Sequence, residues 1–221
     1  MKKRLFILIL LFPVFLLGQT KIDENISVNF LEKPETTEFN IENTNPENVK
    51  AKATAFYLNS KDDSYIAMRI NAIIDGKPYN ELSQSIIALK AVYKYILTEQ
   101  LKSMEKKGMF LKDSSQIKID NYLAYKLSFK GKNSEEENAE SRILILNGIT
   151  YIFIYSQVAS YDKVKKDQFF KSIKINHSEN LKQIEEPYNY FNVIIRILGG
   201  VLFLYFIRKF LKKEKENNRI R

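Results

Sequence analysis

Arg142–Leu146 (RILIL), Asn147-Gly148 and Ile149–Tyr155 (ITYIFIY) together read as two β-strands joined by a two-residue turn. Asn-Gly is the dipeptide of a type I′ hairpin, because both turn positions need positive φ. Both faces of the two strands are apolar, which predicts a central position in a sheet covered on each side. The rest of the chain is read outward from this hairpin.

Upstream, Gly131–Asn138 is a polar loop with an acidic triplet, Glu135–Glu137, and offers only a poor cation site because no matching ligands accompany it. Before it, Tyr122–Lys130 alternates, with Leu123, Tyr125, Leu127 and Phe129 inward and Lys126, Ser128 and Lys130 outward. Asn80–Lys107 is the clearest helix: Leu82, Ile86, Leu89, Tyr93, Leu97, Leu101 and Met104 recur at three and four residues, Asn80 caps the start and Gly108 ends it. Packing on the chain's own sheet is the plainer use of that stripe, and docking of a partner the other. Ala51–Leu58 and Tyr65–Ile74 form a strand pair; in the second, Ile66, Met68, Ile70, Ala72 and Ile74 share the buried face, opposite Arg69 and Asn71. Lys21–Lys50 is irregular apart from a first strand at Ile26–Leu31. Downstream of the hairpin, Tyr161–Ile173 reads as a second helix capped by Ser160, followed by a linker at 179–189 that contains Pro187.

Beyond the linker lies an apolar run, Tyr190–Ile207, and then a basic tail, 208–221. Eighteen residues of helix are about 27 Å long, close to the ~30 Å of a hydrocarbon core. The expectation is one transmembrane helix, 190–207, against the alternative of a buried or amphipathic C-terminal helix. The all-round apolar surface from Ile197 to Ile207, cut off at Arg208-Lys209, favours the membrane. Arg208, Lys209, Lys212 and Lys213 set the C-terminus on the cytoplasmic side. Arg196 either snorkels to the outer headgroups or pairs with an acid of a neighbouring helix, and Gly199-Gly200 is either merely tolerated or a close-packing spot for that helix.

The N-terminus, 1–20, has the layout of a secretory signal: Lys2-Lys3-Arg4, thirteen apolar residues from Leu5 to Leu17, then Gly18-Gln19-Thr20. An uncleaved signal anchor is the rival reading, and it leaves the intervening domain, 21–178, on the same side. The formal charge of +9 belongs to these two ends: Lys21–Tyr190 holds 24 basic and 24 acidic residues. The basicity is therefore a topological address, and a nucleic-acid partner is not expected. The chain has no cysteine, which excludes disulfides, a lipidated cysteine and thiolate metal sites. Its single histidine, His177, has no second ligand type to head a zinc site. Asp62-Asp63 and Glu135–Glu137 read as loop solvation, and the seven glycines form no phosphate-binding loop. No catalytic residue, cofactor or metal site is assigned.

The order of these elements carries a resemblance. IKIDNYLAYKLSFKG (Ile117–Gly131), SRILILNGITYIFIYSQV (Ser141–Val158) and FFKSIKI (Phe169–Ile175), after an opening SVNFLEKPE (Ser27–Glu35), resemble the PsbP/DcrB-like superfamily over roughly residues 26–175. The resemblance implies an α+β fold, an antiparallel sheet with helices on its faces as a PsbP-like α/β/α sandwich, here with one C-terminal transmembrane helix added. It implies no shared active site, and Asn121 stands where such domains often carry glycine. The functional expectation is a non-catalytic, membrane-anchored accessory or binding domain outside a bacterial inner membrane, with the membrane and a second membrane protein as partners. The alternatives are a small-molecule or lipid-binding domain, with a pocket between the sheet and the Asn80–Lys107 helix, and a hydrolase with a carboxylate site.

Overall fold

The computed structural model describes residues 19–42, 50–74, 77–157 and 161–185. Asn147 and Gly148 have φ of 48° and 74°, so the hairpin turn is of the I′ kind that its sequence calls for. It joins β9 (Glu137–Leu146) to β10 (Ile149–Gln157). Glycine is needed here twice over, since a Cβ on Gly148 would lie 2.7 Å from the carbonyl carbon of Asn80.

Around this hairpin, the described residues form an antiparallel sheet of eight strands. Its members besides β9 and β10 are β3 (Glu35–Glu42), β4 (Lys50–Asn59), β5 (Asp63–Ile74), β6 (Lys77–Tyr79), β7 (Met109–Ile119) and β8 (Tyr122–Gly131). The order is β3-β4-β5-β10-β9-β8-β7, with β6 beside β5, so β10 is central as its two apolar faces require. One face carries α1 (Ile86–Glu105), whose Leu89, Tyr93 and Met104 pack with Leu127, Phe129, Ile143 and Ile152. The other face carries α2 (Lys163–Lys171) together with a small sheet of β1 (Thr20–Lys21), β2 (Ile26–Val28) and β11 (Lys174–Ile175). Ile26, Val28, Phe30, Phe169 and Phe170 there cover Tyr65, Tyr151, Phe153 and Tyr155. The architecture is a mostly antiparallel sheet with one helix on each face, as the resemblance implied.

Several local expectations are corrected. Residues 26–28 do not join the main sheet but lie over it, and Thr20, placed at the end of the signal, pairs with Val28 in β1. β3 and β7, read as irregular or passed over, are the two edges of the sheet. β3 is exposed on both faces, and in β7 the alternation toward the core is confined to Ser115, Ile117 and Ile119 at its end. β5 is covered on both sides: Tyr65 and Ala67 are buried on the face assigned to solvent. Ser128 is buried as well, because α2 covers its face. The cap of α1 is Ser85, whose Oγ accepts from the Ala88 N–H at 3.2 Å, not Asn80, because residues 80–84 run extended beside the hairpin. The cap of α2 is Asp162, accepting from Val164 and Lys165. At the β7–β8 turn the positive φ falls on Asp120, not on Asn121.

The chain divides after Glu185, and every described residue belongs to the first part. Among the described residues no helix is long and apolar enough to cross a membrane. Residues 1–18, the predicted span 190–207 and the tail 208–221 lie outside the described residues.

Candidate functional site

The polar chemistry of the domain gathers in three places. The first is the face under α2, where buried carboxylates each hold a tyrosine or a cation. Asp23, in the segment before β2, accepts from the Tyr151 hydroxyl at 2.6 Å and from the backbone N–H groups of Asn25 and Ile26. Asp63, at the start of β5, accepts from the Tyr155 hydroxyl at 2.8 Å and pairs with Lys165 of α2. Glu140 of β9, 1% exposed, sits between Arg142 at 2.8 Å and Lys166 of α2 at 3.0 Å. Arg142 also stacks on the Phe170 ring at 4.3 Å, and Glu137 accepts from Tyr161 at 2.7 Å. Asp63 and Glu140 thereby clamp α2 to β5 and β9, while Asp23 ties the segment before β2 to β10.

The electrostatics follow from this burial. Desolvation pushes the Tyr65 phenol up to about 12, with Asp63 and Asp162 adding to it. Tyr151, Tyr155 and Tyr161 are likewise held above the usual tyrosine range, by burial first and then by Asp23, Asp63 and Glu137 respectively. Burial works against the charge of Lys166, yet Glu140, Glu137 and Asp167 outweigh it and hold its pKa above the ordinary lysine value. These groups are matched in charge and face each other rather than a cleft. Protonated tyrosines and paired ions are suited to holding layers together, not to exchanging protons near neutral pH.

The second place is the end of the sheet where the described chain finishes. The last β8–β9 pair on that side is Ala124–Leu144, and beyond it the strands admit two side chains between Leu123 and Ile145. The Tyr93 hydroxyl donates to the Leu123 carbonyl at 2.6 Å and accepts from the Ile145 N–H at 3.0 Å. Gln183 accepts from the Leu123 N–H at 2.8 Å and donates to the carbonyls of Leu123 and Ile145 at 2.8 and 2.9 Å. The residues around it are fixed too. Lys182 exchanges two hydrogen bonds with Asn147 in the hairpin turn, through its own backbone. Leu181 is buried, Ile184 bridges Ser83, and the Glu185 N–H donates to the Ser83 carbonyl at 2.9 Å. Residues 181–185, within the stretch read from sequence as a linker, thus form a strap across the end of the domain. Burial pushes the Tyr93 phenol well up, and the Ile145 N–H and the Gln183 amide only partly offset that.

The third place is a hollow of about 460 Å³ lined by Thr20, Phe30, Glu32, Lys33, Pro34, Thr36 and Phe56. It lies on the side of β1 and β3, not between the sheet and α1, where Leu89, Tyr93 and Met104 fill the space.

The residues singled out from sequence fare differently. Arg196, Gly199, Gly200, Arg208, Lys209, Lys212 and Lys213 lie outside the described residues. His177 is exposed, has a φ of 52° and faces only Glu179 at 3.8 Å, so it serves a left-handed turn. Asp62 is solvated, but its neighbour Asp63 is a buried member of the clamp, which corrects the reading of both as loop residues. Glu135 pairs with Lys130 at 2.7 Å on the surface, and Glu137 turns inward. Among the described residues no group of acids or histidines is placed to hold a metal ion. Gln183, Tyr93 and Glu140 went unnoticed as polar anchors. Glu140 lies in β9 two residues before Arg142 and its apolar run, and Tyr93 lies on an apolar helical stripe, whereas nothing local marks Gln183.

No protein-family model matches the chain, and no curated protein matches it. Among solved structures it is similar to the solution structure of cyanobacterial PsbP (CyanoP) from Synechocystis sp. PCC 6803, with 12% identity, 71% of this chain and 90% of that chain covered, and a TM-score of 0.43.

Proposed function

We propose that this chain is a non-catalytic accessory or binding domain held outside the bacterial inner membrane by residues 190–207. One observation supports this above the others: the strap at 181–185. A domain that only needed to trail from an anchor would leave through a flexible polar leader. Here residues 181–185, the last described before the apolar run, are bonded to β8, β9, the hairpin turn and Ser83. The sequence resemblance to PsbP/DcrB-like domains points toward the same accessory role.

The test is affinity purification of the full-length chain from gently solubilised membranes, beside a chain ending at Asn189. A stoichiometric membrane protein that co-purifies only with the full-length chain is the expected result, and Arg196 and Gly199 are then the first positions to vary. Recovery of the same partner with both chains would place recognition in the outer domain instead.

A second reading, small-molecule or lipid binding, is favoured by the hollow at Phe30, Pro34 and Phe56, whose size falls in the usual range for ligand sites. Mass spectrometry of the natively purified protein, repeated on Phe56→Lys, tests it: a bound molecule lost in the variant is the signature.

A further inference from the structure

We propose that the first turns of α1 rest on the bilayer surface, with Ile87 entering the interface and Lys90 and Lys94 facing anionic headgroups. The proposal builds on the anchored reading above and adds the face by which the domain meets the membrane.

Three observations carry it. Ile87 is 78% exposed, the highest value among the exposed large hydrophobic side chains of the described residues, and Tyr95 on the same helix is 50% exposed. Ile87, Ala91 and Tyr95 follow one another at four-residue spacing, so they form a ridge on the side of α1 away from Leu89 and Tyr93. Isolated exposed apolar residues are ordinary, but a ridge that opens a helix is less so.

The charge is one-sided as well. Lys90 and Lys94 flank the ridge, and no acidic residue occurs from Ser85 to Thr98. An apolar ridge beside lysines is the composition of a helix lying in an anionic membrane interface.

Position supplies the third argument. Ser83, three residues before Ile86, is the residue on which the strap closes, through Ile184 and the Glu185 N–H. From Glu185 to Tyr190 there are five residues, at most about 18 Å of extended chain. The beginning of α1 is thus tied to Glu185, the last residue before that short tether.

The chain contains no tryptophan, so a single introduced one reports without background. Full-length Ile87→Trp is reconstituted into phosphatidylcholine–phosphatidylglycerol vesicles with brominated acyl chains, beside Val164→Trp on the exposed side of α2. The expected result is a blue-shifted emission from Ile87→Trp that loses most of its intensity to the brominated lipid, while Val164→Trp keeps its own. Adding Lys90→Glu and Lys94→Glu should restore much of the lost emission. If the protein resists alkaline carbonate extraction yet Ile87→Trp is not quenched, the proposal is overturned and the anchor stands. A blue shift without quenching also overturns it, in favour of a second copy or a protein partner on this ridge. If carbonate releases the full-length protein from membranes, the anchored reading itself fails.

Discussion

Replacing Gln183 with alanine tests whether the strap is a structural member or a passive end of chain. The carboxamide makes three full hydrogen bonds: it accepts from the Leu123 N–H and its two N–H groups donate to Leu123 O and Ile145 O, with the Tyr93 hydroxyl a longer, shared acceptor at 3.3 Å. Each such bond contributes about 0.5–1.5 kcal/mol net. Gln183 is only half-buried, so water recovers part of the loss for the two carbonyls. The Leu123 N–H points between strands and gains least from solvent. A cost of about 2–3 kcal/mol follows, and for a domain of this size that lowers Tm by roughly 4–12 °C. The assay is urea unfolding combined with amide hydrogen exchange. In Gln183→Ala the Leu123 amide should lose protection while the Ile145 amide, still bonded to Tyr93, keeps it. Tyr93→Phe should reverse that pattern. The double variant should be non-additive by about 0.5 kcal/mol or more, because both side chains bond Leu123 and each other. A Gln183→Ala protein within about 0.5 kcal/mol of the parent, with Leu123 still protected, would refute the strap as a holding element.

The glycines at the two best-defined turns should respond unequally to alanine. Gly148→Ala incurs a left-handed φ penalty and a collision with the Asn80 backbone, for a loss of about 3 kcal/mol or more, whereas Gly108→Ala, with φ of 75° and open space around its Cβ position, should lose only about 1 kcal/mol in the same urea titration. Glu140→Gln leaves Arg142 and Lys166 without their shared buried anion and should cost about 3 kcal/mol; an unchanged urea midpoint would mean that Glu140 adds nothing to the hold on α2 from Phe169, Phe170 and the Lys165–Asp63 pair. At alkaline pH the sign is set by groups whose folded pKa is raised. Unfolded phenols ionise from about pH 10, the buried ones only above it, so the native state binds more protons and stability falls as pH rises past about 10. Lys166 acts in the same direction: its contribution is complete below the ordinary lysine pKa and is lost as pH passes its raised folded value. Part of the phenolate absorbance, that of the buried tyrosines among the thirteen, should therefore appear only in a cooperative step together with loss of circular dichroism, and completion of the whole rise with native dichroism would contradict the burial.

The hairpin at Arg142–Tyr155, the helix that contains Leu89 and Tyr93, and the strands at Ala51–Leu58 and Tyr65–Ile74 were legible in the sequence because each carries a local pattern. An Asn-Gly turn, a helical repeat and an alternation all fit within a dozen residues, and burial enforces each of them. The edge strand β3 left no such trace, because an uncovered strand has no buried face to enforce one, and β7 left only the short Ile117–Ile119 alternation. Ser128 and Tyr65 were assigned to solvent because a one-strand reading cannot know that a second layer, made of α2 and residues 20–30, covers the opposite face.

The candidate sites follow the same division. Charge placement and apolar run length are one-dimensional properties, so the reading of 190–221 as anchor and tail came from sequence alone. The strap, by contrast, joins Gln183 to residues 38, 60 and 90 positions away, and the clamp on α2 joins Asp63 to Lys165 across 102. A lone glutamine in a polar segment and an aspartate in a loop look the same whether solvated or bonded. Only the closure of the sheet, which brings those distant backbone groups within hydrogen-bond reach and withdraws them from water, decides which they are.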